Sequence, residues 1–294
     1  RWFESNRAYQ RIFGSTSPQT NQTDAASVFF RPPLMELPIN RFKALIRSES
    51  LPVGTWHTLG SHAVLEALGL AGFDFLVVDM EHGQYDVPQV IDQLRVIAGT
   101  PASAIVRLPW NDAVQVKRVL ETGAQTVMFP FIQNVDEARR AIAATRYPPD
   151  GIRGVAALYR SAGYGLIRDY VHIAARELCV ILQLETVEAV SQLEAIAALP
   201  GLDSLFIGPA DLSASMGHLG NPNHPAVKER LRWAAQTCRR LGMPCGTIAL
   251  APETIAEYLD YGFTWIAAGT DISMLLGGAA SVLASTRASV AKPR

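Results

Sequence analysis

Four stretches of this chain end an apolar run on side chains that can do chemistry. The run Phe73–Val78 gives way to Asp79, Glu81 and His82, with Gly83 behind them. Ala104-Ile105-Val106 runs into Arg107, and Cys179–Leu184 carries Gln183 and runs into Glu185. Ser204–Ile207 is followed by Gly208-Pro209-Ala210-Asp211-Leu212-Ser213. Charge at the end of a buried strand carries a heavy desolvation penalty unless the end opens onto a partner. Gln183 and Glu185 lie on one face by the two-residue strand period. Two carboxylates, Glu185 and Asp211, from consecutive strand ends suit an octahedral Mg2+ or Mn2+ completed by water and substrate oxygens. The set has no thiolate and little imidazole, which disfavours zinc. Arg107 presents a planar fork for a substrate carboxylate or an enolate oxygen. Asp79, three residues before His82, can orient an imidazole and make it a general acid–base. The set outlines metal-assisted carbanion chemistry beside a carbonyl.

Each residue also has a plainer reading. Asp211 could cap a helix, Glu185 could be a solvated rim charge, Arg107 could close a salt bridge within the fold, and His82 could be a buried structural histidine. His57 lies just past the first apolar run and His62 at a helix start, while His172, His218 and His224 read as surface or loop residues. There is no Ser-His-Asp arrangement, P-loop or Cys-x-x-Cys. A Schiff-base enzyme would want a lysine at a strand end. Lys43, Lys117, Lys228 and Lys292 fall in helices or near a terminus, which favours a metal-stabilised enolate over an imine and calls for no organic cofactor.

The elements that must position these residues follow from composition and pattern. The chain has 294 residues, 49% hydrophobic and 18% charged, so a large core is available. A net charge of −1 without a basic stripe argues against nucleic acid as a partner, and the sequence lacks the long charge-free apolar span of a membrane helix. Cys179, Cys238 and Cys245 lack zinc spacing and fit buried thiols in a reducing, cytoplasmic setting. Residues 14–27 are polar, so residues 1–34 read as a flexible extension or leader, and residues 35–294 as one catalytic domain.

From residue 37 short apolar runs alternate with helical periods. The predicted strands are Val53–Trp56, Phe73–Val78, Ser103–Val106, Thr126–Phe129, Cys179–Leu184, Ser204–Ile207, Pro244–Ile248 and Trp265–Ala268. The predicted helices are Ser61–Leu70, Val87–Ile97, Ala113–Thr122, Val135–Thr145, Val187–Ala198, Ala226–Leu241 and Pro252–Asp260. This is the pattern of an α/β (β/α)8 TIM barrel, whose active sites gather at the carboxyl ends of the strands. A doubly wound sheet is the competitor, but no Gly-x-Gly-x-x-Gly turn follows a strand. Gly72, Gly123 and Gly262 sit where helices need a left-handed terminator, and Asn134 and Asp136 are capping candidates. The long interval before Cys179 contains Arg153, Tyr159, Arg160 and Tyr164, which read as a loop able to meet an anionic or hydroxylated substrate.

In order, these pieces resemble the HpcH/HpaI aldolase/citrate lyase family, in its class II pyruvate aldolase branch. That branch includes 4-hydroxy-2-oxoheptanedioate, 2-keto-3-deoxy-rhamnonate and 2-dehydro-3-deoxyglucarate aldolases. The resemblance spans about Leu37 to Leu276. It rests on Gly72-Phe73-Asp74, Asp79-x-Glu81-His82-Gly83, Val106-Arg107, Gly123-Ala124-Gln125, Tyr147-Pro148-Pro149-x-Gly151-x-Arg153-Gly154, Gln183-x-Glu185 and Gly208-Pro209-Ala210-Asp211-Leu212-Ser213. It implies a barrel of the phosphoenolpyruvate/pyruvate type that cleaves a 4-hydroxy-2-oxo acid to pyruvate and an aldehyde. Glu185 and Asp211 would bind Mg2+, Mn2+ or Co2+ beside Gln183, Arg107 would hold the pyruvyl oxygens, and His82 supported by Asp79 would move protons. The backbone around Ala210 and Asp211 would bind the pyruvate carboxylate, and Arg107, Gln183, Gly208, Pro209, Ala210 and Ser213 would line the substrate site. The family assembles as a trimer of dimers with exchanged C-terminal helices. Gly154-Val155-Ala156 and Tyr159–Tyr164 depart from the family pattern in the acceptor-side loop. Alternatives within the resemblance are an oxaloacetate-decarboxylating enzyme of the macrophomate synthase kind and a CoA-ester lyase. A ligand-binding barrel scaffold is the non-enzyme alternative.

Overall fold

A computed structural model describes residues 33–290, so the expected extension lies, up to residue 32, outside the described residues. Eight parallel strands close into one barrel in sequence order: β1 Val53–His57, β2 Phe75–Asp79, β3 Ser103–Arg107, β4 Thr126–Phe129, β5 Cys179–Leu184, β6 Ser204–Ile207, β7 Cys245–Ala249 and β8 Trp265–Thr270. The first and last strands pair, which removes the sheet edges. The helices are α1 Arg41–Leu45, α2 His62–Leu70, α3 Val87–Ala98, α4 Ala113–Glu121, α5 Val135–Thr145, α6 Tyr170–Glu177, α7 Val187–Ser191, α8 Leu193–Ala197, α9 Pro209–Ser215, α10 Pro225–Leu241, α11 Pro252–Tyr261 and α12 Asp271–Val290. Among the described residues no helix is long and apolar enough to cross a membrane.

Most helix signals read from sequence act as expected; of the two capping candidates Asn134 is the cap, whereas Asp136 lies in the first turn and accepts from Arg139. Asn134 accepts from the Glu137 amide at 2.9 Å, and Gly72, Gly123 and Gly262 take φ of 105°, 91° and 108°. The single helix expected over Val187–Ala198 is instead two short helices, because Gln192 leaves helical geometry at φ −99° and ψ 9°. Helices α1 and α6 were not foreseen, being too short to develop a clear period.

Strand alternation decides what faces the lumen. Phe75 and Val77 of β2, Ile105 of β3, Met128 of β4, Ile181 of β5, Phe206 of β6 and Trp265 of β8 form one buried cluster with Trp56 and Phe42. Their neighbours Leu76, Val78, Val106, Val127, Leu182 and Leu205 pack outward in the layer shared with the helices. Large rings fit the lumen because facing positions are empty. A Cβ at Gly54 would collide with Phe75, and one at Gly246 with Trp265. Phe42 of α1 closes the amino-terminal end of the barrel, with ring centroids 5.2 Å from Phe75 and 5.3 Å from Trp265. Lys43 is buried there too, its Nζ donating to the Leu178 carbonyl at 2.6 Å and pairing with Asp203 at 3.2 Å. The one buried lysine among the described residues is therefore at the closed end.

At the other end, His57 is the last residue of β1 and fully buried, with Nδ1 2.9 Å from Asp271 Oδ2. Asp271 also accepts from the Thr58 and Leu59 amides and the Thr58 hydroxyl. Burial would raise its pKa, but the His57 contact and these hydrogen bonds hold it well below the usual carboxylate range. This cluster pins the start of α12, whose remaining residues are exposed.

Candidate functional site

Continuing each strand by two residues from its lumen positions reaches the charged set. Val77 leads to Asp79, Ile105 to Arg107, Ile181 to Gln183 and then Glu185, and Phe206 to Gly208. All of these lie at the carboxyl ends of β2, β3, β5 and β6, around one mouth. Register pairs Asp79 directly with Arg107. Arg107 Nε donates to Asp79 Oδ1 at 2.8 Å and Nη2 to Oδ2 at 2.6 Å, a two-pronged grip, while Nη1 lies 2.6 Å from Glu81 Oε2. Trp56 donates from Nε1 to Asp79 Oδ2 at 3.1 Å, and the guanidinium sits 4.9 Å over its ring. Burial pushes the Asp79 carboxyl up, but Arg107's hydrogen bonds and charge outweigh it and hold the carboxyl below its ordinary value. Burial pushes Glu81 upward despite Arg107. The Tyr85 hydroxyl locks the strand end in place by donating to the His57 carbonyl at 2.9 Å and accepting from the Asp79 amide at 2.7 Å.

The expected Asp79–His82 side-chain pair is not made. Both Asp79 oxygens are taken by Arg107 and Trp56, and only the His82 backbone amide reaches Oδ1, at 3.4 Å. The His82 residue itself is exposed. Asp79 thus holds the arginine fork, and His82 stands free beside it.

Across the mouth, Glu185 is buried to 1% exposure. Its Oε1 accepts from the Phe131 amide at 2.9 Å, and its Oε2 accepts a short hydrogen bond from Gln183 Nε2. Gln183 Oε1 is buried without a partner. Burial, then the nearby carboxylates of Asp211 and Glu81, push the Glu185 pKa up to about 8. A Cβ at Gly208 would collide with Glu185 Oε2, so glycine there lets the next strand end lie against the carboxylate. Gly208 caps α9, Pro209 opens it, and Asp211 sits exposed in its first turn. Ala210 is exposed beside it, whereas Ser213 is buried with its hydroxyl donating to the Ala210 carbonyl at 2.7 Å. Ser213 is therefore tied up within the helix.

These features fit a divalent cation. A buried carboxylate facing further carboxylates is costly without a counter-charge, and the orphaned Gln183 Oε1 is a hard oxygen donor. Among the described residues no three His, Cys, Asp or Glu side chains gather as one ligand cluster. A cation held by Glu185 and Asp211 would take its other ligands from amide, water or substrate oxygens.

The long connection before β5 does not bring its arginines to this mouth. Arg153 is buried, pairs with Glu121 at 2.9 Å and lies 4.5 Å over the Tyr147 ring. Arg160 Nη1 donates to the Thr122 carbonyl at 2.6 Å. Both partners are at the end of α4, towards the amino-terminal ends of the strands. A groove of about 490 Å3, lined by Ile39, Leu94, Ile97 and Tyr164 and by Ser103 and Thr126 at strand starts, also lies at that end. Sequence reasoning missed Trp56, Tyr85 and the Phe131 amide. Trp56 was available from strand alternation, since it follows Gly54 on the lumen face. The other two act through loop geometry that no local pattern encodes.

The HpcH/HpaI aldolase/citrate lyase family model matches residues 53–277. A 4-hydroxy-2-oxo-heptane-1,7-dioate aldolase of Salmonella paratyphi A is 45% identical over 247 residues, 83% of this chain and 94% of the relative. A hydroxypyruvate/pyruvate aldolase of Sagittula stellata is 41% identical over 241 residues, 82% of this chain and 95% of the relative. The crystal structure of an HpcH/HpaI aldolase/citrate lyase family protein from Burkholderia cenocepacia superposes with a TM-score of 0.82 at 40% identity. It covers 84% of this chain and 99% of that one.

Proposed function

The chain belongs to the HpcH/HpaI aldolase/citrate lyase family, and from that premise we propose that its barrel mouth cleaves a 4-hydroxy-2-oxo acid to pyruvate and an aldehyde. The chain is an aldolase, a carbon–carbon lyase. The observation that carries the assignment of residues is the meeting of an immobilised guanidinium, Arg107, and a buried carboxylate, Glu185, at one barrel mouth, near enough for the Glu185 charge to act on Arg107.

Glu185 and Asp211 would hold a divalent ion, Mg2+, Mn2+ or Co2+, with Gln183 beside them. When bound, the cation would supply Lewis-acid stabilisation of negative charge on the pyruvyl oxygens. Arg107 commits Nε and one N–H on each terminal nitrogen to Asp79 and Glu81. One N–H on each terminal nitrogen remains for a substrate oxygen. Because Asp79, Glu81 and Trp56 fix the fork beforehand, it stabilises charge developing on the enolate oxygen without reorganising. His82, exposed at the same rim, moves the proton of the 4-hydroxyl, through water where it does not reach directly. The backbone around Ala210 and Asp211 at the start of α9 receives the pyruvate carboxylate, while Gly208, whose amide donates to the Leu184 carbonyl, and Pro209, which has no N–H, shape the turn. Asp79 acts through Arg107. The exposed apolar residues of α12 suit a homo-oligomer, with the trimer of dimers as the proposed form.

The test is product formation from pyruvate and a panel of aldehydes with Mg2+, Mn2+ and Co2+, before and after chelation. Activity lost in chelator and restored by a divalent ion supports the reading. Full activity in excess chelator, or borohydride trapping of an imine, refutes it.

A further inference from the structure

We propose that Trp110 and Phe131 form the surface that selects the acceptor aldehyde, favouring one that carries a flat apolar substituent beyond its carbonyl. The inference rests on the aldolase reading above and adds the class of acceptor.

The two rings stack with centroids 5.8 Å apart and planes 29° from parallel. Both are open to solvent, Trp110 at 54% and Phe131 at 37%, so the pair is not explained by the core. Trp110 lies three residues beyond Arg107 and Phe131 two beyond the end of β4. Because β3 and β4 are neighbours in the barrel, the pair stands on the rim between the strand that delivers Arg107 and the one bordering β5, which delivers Glu185.

Phe131 is tied to the reacting centre by its own backbone. It has φ of +53°, a left-handed conformation rare for residues other than glycine. In that conformation its amide donates to Glu185 Oε1. The backbone from which the ring projects is thereby held against the carboxylate assigned to the pyruvyl end. An aldehyde that meets the enolate carbon must enter from the open side of the mouth, and its substituent then lies along the rim. There the stacked pair offers aromatic faces, which suit offset stacking or C–H contact with a flat apolar tail.

The experiment compares kcat/KM for phenylacetaldehyde and glycolaldehyde with pyruvate and Mn2+, using the full chain, Trp110→Ala and Phe131→Gly. Phe131→Gly keeps the amide and tolerates the positive φ. Trp110→Phe is the conservative control. The expected result is that the phenylacetaldehyde-to-glycolaldehyde ratio falls about tenfold in both truncations. The loss should fall mainly on KM for phenylacetaldehyde, and Trp110→Phe should retain the preference. An unchanged ratio, an equal loss with both aldehydes, or a change in assembly mass with Trp110→Ala by light scattering would overturn the proposal and make the pair structural or intersubunit. Deuterium exchange into the pyruvate methyl group of the unaltered protein separates the two failures. Exchange without aldehyde discrimination defeats only this inference, whereas no exchange and no condensation defeats the aldolase reading as well.

Discussion

Arg107 is the residue whose replacement best separates enolate chemistry from simple binding. Arg107→Lys keeps a charge but cannot span both Asp79 oxygens and still offer donors to substrate. Turnover and pyruvate methyl exchange, read by NMR, should fall about 10²-fold or more, with a smaller loss of pyruvate affinity; exchange at the unaltered rate would remove Arg107 from the mechanism. His82→Ala should lower turnover about 10²-fold and leave metal content unchanged, since His82 shares no contact with Glu185; metal analysis showing loss would make it a ligand instead. Glu185 predicts a pH effect. Its carboxyl is raised to about 8 in the folded, metal-free chain, against about 4.3 when unfolded. Below the unfolded value both states hold the proton and nothing is lost. Between the two values only the folded state holds it, so stability falls as pH rises, and the cost is complete above about 8. A cation replaces that proton. The increase in melting temperature given by Mn2+ should therefore be larger at about pH 8.5 than at about pH 6, and a pH-independent increase would argue against Glu185 as the ligand. At this scale the acids and the arginine were legible in sequence because each ends an apolar run. The Asp79–Arg107 and Asp79–Trp56 contacts were not, because local spacing favours the near neighbour His82, whereas strand register supplies partners 28 and 23 residues away.

Among elements, the strands carry the positional information. Their strict alternation sends Phe75, Val77 and Asp79, or Cys179, Ile181, Gln183 and Glu185, down one lumen face. A charged terminus after an inward apolar pair is thus committed to the mouth by backbone geometry alone. The same alternation makes the lumen sensitive to added volume. Gly246→Ala puts a Cβ into the Trp265 ring and should destabilise the chain by about 1–3 kcal/mol, the usual cost of overpacking. Denaturant titration measures it. Gly246→Ala combined with Trp265→Leu should recover part of the loss; a neutral single variant would show that β7 and β8 yield there. Helix ends were well signalled, since Asn134 and the left-handed glycines satisfy terminal amides and carbonyls locally. Helix α1 was not signalled. Its five residues are held by long-range contacts, Phe42 in the lumen and Asn40 against Thr126 and Glu177.

At the scale of the whole molecule, α12 is the element on which the proposed homo-oligomer rests. Its apolar residues Leu275, Leu276, Val282 and Leu283 are exposed, although Asp271 anchors its first turn firmly to β1. Replacing Leu275 and Leu276 by Asp should shift the assembly to smaller species by light scattering; an unchanged mass would mean that this stretch takes no part in assembly. The sequence by itself determined the (β/α)8 order and that charged residues end apolar strands at one mouth of the barrel. Both follow from local rules: the periods of strand and helix, and the penalty for burying a charge. It also determined the family, through motifs spread along the chain. Only the tertiary structure decided which charges pair and which loop residues matter. Barrel closure and register bring Asp79 to Arg107 rather than to the His82 ring, and Phe131 to Glu185, and they place Arg153 and Arg160 at the far end on α4. Those pairings join residues tens of positions apart, and their geometry exists only once all eight strands have closed.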